Sequence, residues 1–482
     1  MRQPHDLVGS LKELLGDHGL LTGDEMAAYE SGARYGRGQA LAVARPDSVA
    51  QLREVVRASL RHGLGVVPQG ANTGLVGAGS PDASGRQLIL STQRLRSLCE
   101  IDVANRSVRV AAGMRLSELN ERLSPHGLWF PIDIGADPSI GGMVAANTGG
   151  TRLIRYGDVR HNLLAIEVVL FQEDAPVLRL GSALRKDNTG PDLKQLFVGT
   201  SGAGGLTSSV TSVIRPRPLQ SATALAVPSS DAAVMELLRA LETELGDFLS
   251  AFEGLSGRAM QAAIDHVPSL RNPFAPEPLP EFALLIELES SSAGGCTGLD
   301  LQACLDRVLE TQFDRTLSNA VLGGGASLWN LRHAISDGAR ALGQPIAFDV
   351  SVPRSQLMAF RRAALDFVAD GFAGLTVIDF GHVADGGMHF NVIRPHSEPP
   401  LDAARTQALR DGIYGLAVET FGGSYSAEHG IGPHNLGYYW RYGGAAVQSL
   451  AHGIRALLDP QALCGVVDFG PAPDGEAPSP HH

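Results

Sequence analysis

Two stretches of this chain are so poor in side-chain bulk that the backbone itself must be what they offer. Pro68-Gln69-Gly70-Ala71-Asn72-Thr73-Gly74-Leu75-Val76-Gly77-Ala78-Gly79 directly follows a strand-like segment. Residues 131–150, from Pro131 through Ser139, Gly141, Gly142 and Asn147 to Gly149 and Gly150, again combine small residues with Ser, Asn and Thr. Successive amides with no bulk between them form an anion-binding concavity, and glycine clusters where backbone turns sharply or approaches something closely. A diphosphate suits such a loop. The first stretch is no P-loop, because the chain has no Gly-Lys dipeptide, and it does not fit a G-x-G-x-x-G opening a helix. Alone it reads equally well as a plain flexible loop. Two such loops, each joined to a strand, suit a long ligand held largely by backbone.

At 482 residues the chain exceeds one ordinary core, so two or three domains are expected. With 44% hydrophobic and 19% charged residues it has a soluble globular composition. No apolar run approaches the ~20 residues of a membrane span, residues 1–16 lack the apolar core of a signal peptide, and a cytoplasmic location is expected. The net charge of −12 argues against nucleic acid and anionic membrane surfaces as main partners. Cys99, Cys296, Cys304 and Cys464 show no metal-ligand spacing and read as isolated thiols. The only lysines are Lys12, Lys186 and Lys194, which excludes Schiff-base chemistry from the C-terminal half.

Local patterns predict the order of elements. Ser48 with Gln51 forms a capping box, Val49, Leu52, Val56 and Leu60 recur at helical spacing, and Gly63 ends the helix before a strand at Gly65-Val66-Val67. Strands are expected at 87–91, 107–111 and 163–171, with a helix at 116–123. From about Ala222 the texture changes: strands at 223–227, 282–289, 375–380 and 388–393 alternate with helices at 231–245, 299–311, 327–342 and 354–369. The Pro-rich stretch 273–280 is expected to be a loop.

A third feature carries chemistry. His382 and His389 stand seven residues apart across Gly386-Gly387, between two expected strands, so a hairpin would bring the imidazoles together. Farther on, Glu428 adjoins His429. Taken singly, each histidine reads more readily as structural. Two His and one Glu with an open position is the layout of a catalytic divalent-metal site.

In these loops, and in Arg185-Lys186-Asp187-Asn188-Thr189-Gly190 downstream, the chain resembles the FAD-binding oxidoreductases that share the fold of vanillyl-alcohol oxidase and p-cresol methylhydroxylase. Within them it is most similar to the D-2-hydroxyglutarate and D-lactate dehydrogenases. The resemblance implies an α+β protein: a two-part FAD-binding domain (1–222 and 428–482, with a disordered tail from about 470) holding an inserted α+β substrate-binding cap (223–427). It implies that Gly70, Ala71, Asn72, Thr73, Gly74 and Leu75 line the FAD diphosphate. Pro131, Ser139, Gly141, Gly142, Asn147 and Gly149 would lie along the flavin and ribityl chain. FAD would be non-covalent, since the first loop has no histidine. It further implies His382, His389 and Glu428 as ligands of a divalent metal, zinc being the first choice, and His429 as catalytic base. Arg332, Ser336 and Asn391 would contact a small 2-hydroxy acid.

The chemistry implied is oxidation of a D-2-hydroxy acid. The metal lowers the hydroxyl pKa, histidine takes the proton at neutral pH, and hydride passes to flavin. Electrons would leave to a non-NAD acceptor such as an electron-transfer flavoprotein, a quinone or a cytochrome, and a homodimer is compatible with the resemblance. An oxidase reducing O₂ is the alternative within the fold. A metallohydrolase at the His/His/Glu site, or a non-catalytic flavin or metal binder, is the alternative outside it. Three departures stand out. Ala347 occupies the position of a lysine that contacts the distal carboxylate in 2-hydroxyglutarate enzymes, with Arg340 or Arg354 as candidate substitutes. Asn435 replaces a lysine after Gly430-Ile431-Gly432, and Thr200-Ser201-Gly202-Ala203-Gly204-Gly205 replaces a Glu and a Thr-Leu pair.

Overall fold

A computed structural model describes residues 4–295 and 298–472; Cys296 and all of the expected tail beyond 472 lie outside the described residues. The chain divides into two compact units. One comprises residues up to Gly149, Asp158–Pro216 and the chain from Glu428 onward; the other comprises Gly150–Gly157 and Arg217–Ala427. The expected partition at 222/223 therefore differs in two places. Residues 217–222 join the second unit because its first strand starts at Gln220, and Gly150–Gly157 joins it through the Leu153–Tyr156 helix.

The first unit holds a four-stranded and a five-stranded sheet. In the smaller, Ala40–Ala44 and Val66–Gln69 flank Gln87–Ser91 in parallel pairing. The Val49–His62 helix makes the crossover. Ser48 caps it by accepting from Gln51 N at 3.3 Å, and Gly63, at φ +60°, ends it in the left-handed region that glycine tolerates best. Leu52, Val55 and Val56 are fully buried beneath the helix, and burial of each such side chain contributes about 1.5–3 kcal/mol. The larger sheet is antiparallel throughout, in the order Cys99–Asp102, Ser107–Ala111, Leu206–Val213, Leu163–Val169, Val177–Gly181.

The second unit is built on seven strands: β1 (Gln220–Pro228), β2 (Leu249–Ser256), β3 (Phe282–Ser290), β4 (Leu317–Leu322), β5 (Gly343–Ser351), β6 (Thr376–His382) and β7 (Gly387–Pro395), in the order β4-β1-β3-β2-β6-β7-β5. Every pairing is antiparallel. Side chains alternate between faces, so Leu225, Leu255, Leu285, Ile378, Phe380 and Ile393 share one face. They pack there against the Gly257–His266 and Gly325–Leu342 helices. Glu253, Glu287, His382, His389 and Asn391 occupy the same face at the same alternation. Half a sheet face is thus hydrocarbon core and the other half polar. Among the described residues no helix is long and apolar enough to cross a membrane.

Candidate active site

In the first unit the glycine loop after Val66–Gln69 is held by contacts that only small residues permit. A Cβ on Gly70 would stand 2.1 Å from Ser139 Oγ, which caps the Ile140–Ala146 helix by accepting from Gly142 N at 3.3 Å. Asn72 has φ +57°, and its Nδ2 donates to Ser31 O at 2.8 Å, turning the side chain away from the loop. Among the described residues, none of the amides of residues 71–75 donates to a protein acceptor. Five successive unpaired donors in a strained loop fit an anionic diphosphate.

The second loop is more mixed. Gly141 is needed for packing, since a Cβ there would lie 2.7 Å from that of Ala112. Asn147 ends its helix at φ +49°, donating to Asp158 Oδ2 at 2.8 Å and accepting from Arg160 N at 3.0 Å, so backbone is what it offers a ligand. Burial alone would raise the Asp158 carboxyl, but His161 and Asn147 hydrogen-bond to it and hold it below its usual range. Pro131 and Gly149 are buried, and Gly142 half-buried.

Residues 200–205 also work through backbone shape. Ser201, Gly202 and Gly204 have φ of +53°, +85° and +88°, and Ser201 Oγ donates to Ile431 O at 2.5 Å. The segment after Glu428-His429 lies against the first glycine loop: a Cβ on Gly432 would meet Val76 O at 2.3 Å, and His434 stacks on Tyr35 at 3.4 Å. Asn435 closes the turn on itself: Oδ1 accepts from Gly432 N at 2.9 Å and Nδ2 donates to Gly430 O at 3.0 Å. His429 Nε2 lies 3.9 Å from Glu428 Oε1, both side chains largely shielded.

In the second unit the His382/His389 hairpin forms. Gly386, at φ +86°, makes the turn, where a Cβ would stand 2.1 Å from Val352 O. Residues 380 and 389 pair directly, and the two imidazoles meet edge to face with centroids 5.3 Å apart. Two carboxylates that sequence reasoning passed over stand behind them. Glu253 on β2, only 1% exposed, bonds His382 Nδ1 through Oε1 at 2.7 Å. Its Oε2 accepts from Arg332 Nε and Nη2, both at 2.7 Å. Burial would raise the Glu253 carboxyl, but the charges of His382 and Arg332 outweigh it and hold it at about 2. Asp349 on β5 pairs in register with His389, with Oδ1 3.7 Å from Nδ1.

Arg332 thus faces Glu253 with its Nε–Nη2 edge and lies over the Phe380 ring at 4.6 Å. Ser336, four residues on, is half-buried on the same helix. Asn391, 9% exposed, donates from Nδ2 to Ile378 O at 3.3 Å and pairs in register with Ala347. Neither proposed substitute for the missing lysine is on this face. Arg354 bonds Glu242 at 2.5 Å and Arg340 lies 3.3 Å from Asp337, both in exposed pairs.

Beyond Glu253 the polar face continues to Glu287 and Glu289 on β3. Arg152 Nε contacts Glu287 at 2.8 Å and Glu289 at 3.2 Å. Trp329 Nε1 donates to Glu287 at 2.7 Å, and Tyr156 OH to Glu289 at 2.8 Å. Burial, and then the neighbouring Glu287 charge, push the Glu289 carboxyl up. Glu253, Glu287, Glu289 and Asp349 share this face with Arg152 and Arg332, and His382 and Arg155 also act on its carboxylates. Two imidazoles beside carboxylates are donors suited to a divalent cation.

Comparison with known proteins bears on both units. The chain matches the FAD binding domain over residues 40–181 and the C-terminal domain of FAD linked oxidases over residues 217–465. It is 34% identical over 432 residues to a D-2-hydroxyglutarate dehydrogenase of Xanthomonas citri pv. viticola, covering 88% of each chain. It is 32% identical over 445 residues to the mitochondrial D-2-hydroxyglutarate dehydrogenase of Rattus norvegicus, covering 89% of this chain and 77% of that one. Among solved structures, substrate-bound p-cresol methylhydroxylase superposes with a TM-score of 0.73 at 17% identity, covering 95% of each chain. The 4-ethylphenol oxidase of Gulosibacter chungangensis gives 0.72 at 17% identity, covering 98% of this chain and 97% of that one.

Proposed function

The chain belongs to the FAD-linked oxidase family as an FAD-dependent D-2-hydroxy-acid dehydrogenase, and from that premise we propose how its residues divide the work. The unpaired amides of residues 71–75 hold the FAD diphosphate, with Gly70, Ala71, Asn72, Thr73, Gly74 and Leu75 forming that loop. Pro131, Ser139, Gly141, Gly142, Asn147 and Gly149 shape the second loop along the rest of the cofactor. His382, His389 and Glu428 are the ligands of a divalent cation, with Zn²⁺ the ion this donor set suits. When bound, FAD supplies the hydride acceptor and the cation the Lewis acid that acidifies the substrate hydroxyl.

The chain's own groups do the rest. Arg332, through the guanidinium edge not turned to Glu253, and Ser336 and Asn391 orient a substrate carboxylate. His429 accepts the hydroxyl proton on its imidazole. The observation that carries this reading is the polar half-face of the seven-stranded sheet. There His382 and His389 lie together among buried carboxylates, beside a guanidinium. A cation held at the two imidazoles would give an anionic substrate a counter-charge on this face.

Electrons leave to an acceptor other than NAD, such as an electron-transfer flavoprotein, a quinone or a cytochrome. The substrate is a small D-2-hydroxy acid. Ala347, beside Asn391 in the register, offers no charge to a second carboxylate, which favours a lactate-like over a glutarate-like side chain.

The test is an anaerobic absorbance spectrum of metal-loaded protein with D- and L-2-hydroxy acids, alongside His429→Ala. The D-acid alone should bleach the flavin band. H429A should keep FAD while reduction slows by about 10²–10⁴-fold. Bleaching of H429A at the wild-type rate would remove His429 from the reaction.

A further inference from the structure

The carboxylate of Glu253 is divided between two partners of different kinds. One oxygen meets the Nδ1 of His382 at 2.7 Å; the other meets two nitrogens of Arg332, each at 2.7 Å. Its strand pairs residue 253 directly with residue 382, so backbone hydrogen bonding fixes one contact. The Gly325–Leu342 helix, seated on the apolar half of the same face, fixes the other. All three side chains are nearly buried, with 1% of Glu253, 9% of Arg332 and 11% of His382 exposed. A purely structural ion pair would require only the guanidinium. An imidazole held at Nδ1 by a carboxylate has its tautomer and ring plane fixed, and Nε2 is then the nitrogen that can ligate a cation.

We propose that Glu253 is a positioning residue that ties the metal ligand His382 to the substrate-orienting Arg332, so that cation binding and substrate-carboxylate binding depend on one carboxylate. The inference rests on the functional reading above. Polarisation of His382 by a cation strengthens its bond to Oε1, and an anion drawing on Arg332 acts through Oε2. Linkage then requires each ligand to alter the affinity of the other by the same factor.

The experiment is a competition titration of FAD-loaded protein with Zn²⁺ against a chromophoric chelator, together with KM and kcat for the best D-2-hydroxy acid. In Glu253→Gln a single acceptor oxygen remains for two donors, so either Zn²⁺ affinity should fall or KM should rise, by about 10-fold or more. A variant with neither change overturns the proposal. Arg332→Lys, which keeps a buried charge beside Glu253 but loses the guanidinium fork, should raise KM yet hold Zn²⁺ affinity within about 3-fold, because His382 keeps its carboxylate. Should E253Q fail to fold around an unpaired guanidinium, Glu253→Leu with Arg332→Met removes both buried charges, an exchange proteins commonly tolerate. That double variant should retain FAD and lose about 10–100-fold in Zn²⁺ affinity. Wild-type Zn²⁺ affinity in it would overturn the coupling alone, whereas a wild-type protein that takes up no Zn²⁺ would overturn the metal reading itself.

Discussion

The two units prepare for a ligand by opposite means. In the first, the groups on offer are backbone amides, and side chains are arranged mainly to stay out of the way: Gly70 has no room for a Cβ, Asn72 turns its amide to Ser31, and Asn147 uses its own on Asp158. In the second, side chains from separated strands and helices meet in a buried network, with Glu253, Glu287 and Glu289 as its hubs. Backbone donors tolerate much change in sequence provided bulk is kept out. A buried ionic network is intolerant of losing any one partner, because the remaining charge is then stranded.

The largest expected difference between the units follows from that contrast. Arg152→Met leaves Glu287, 5% exposed, without its guanidinium, and should destabilise the second unit by about 3–5 kcal/mol. Arg152→Met with Glu287→Gln should recover much of the loss, since Trp329 can still donate to the amide oxygen while the Ser250 hydroxyl can accept from the amide nitrogen. Denaturant unfolding measures both. If the double variant is no more stable than R152M, the network is not held by charge balance and the contrast fails in this unit.

A smaller effect is expected in the first unit, where bulk is the variable. Gly70→Ala drives a methyl against Ser139 Oγ and should cost about 1–3 kcal/mol, with weakened FAD retention. Ser139→Ala alone loses a helix cap, worth about 1 kcal/mol. With the hydroxyl gone, G70A should add little further, so the two substitutions should be strongly non-additive. Simple additivity, read by melting temperature and flavin content, would mean that Gly70 is required for something other than clearance.

The same contrast governs what the sequence reveals. Small residues at the end of a strand announce a loop of bare backbone directly, and the course of the chain at 70–75 and 139–149 is legible for that reason. The His382/His389 hairpin was legible too, because Gly386 and the flanking apolar strands are local signals. Glu253 and Asp349 were not, since both lie on strands that the local pattern hides. Leu249–Ser256 carries an acid and a glycine inside an apolar run, and a lone Glu there reads as a surface residue. Gly343–Ser351 opens with Gly343 and Pro345 and reads as the loop ending a helix. Its place at the edge of the sheet is what lets a proline sit in it. Contacts such as Glu253 with Arg332, 79 residues apart, depend on strand order, which periodicity does not encode.

The finest test uses protons rather than truncation. The Glu289 carboxyl titrates above its usual range because it is buried and next to Glu287. As pH rises from about 4.3, the ordinary glutamate value, the unfolded chain releases this proton first while the folded protein retains it. The unfolded state then binds fewer protons, so this residue's contribution to stability falls with rising pH and levels off only above the folded value. Glu289→Gln removes that slope while keeping an acceptor for Tyr156. The variant should therefore gain on the wild type as pH is raised above about 4.3 and stop gaining above the folded value, a small effect visible as a pH-dependent shift in the difference between their melting temperatures. Ser139→Ala removes no titratable group and leaves Asp158 in place in both proteins, so it should lie a constant distance below the wild type over the same range. Parallel pH profiles for E289Q and the wild type would mean that Arg152 and Tyr156 already neutralise the second carboxylate in full, and that the buried face carries less uncompensated charge than its residues suggest.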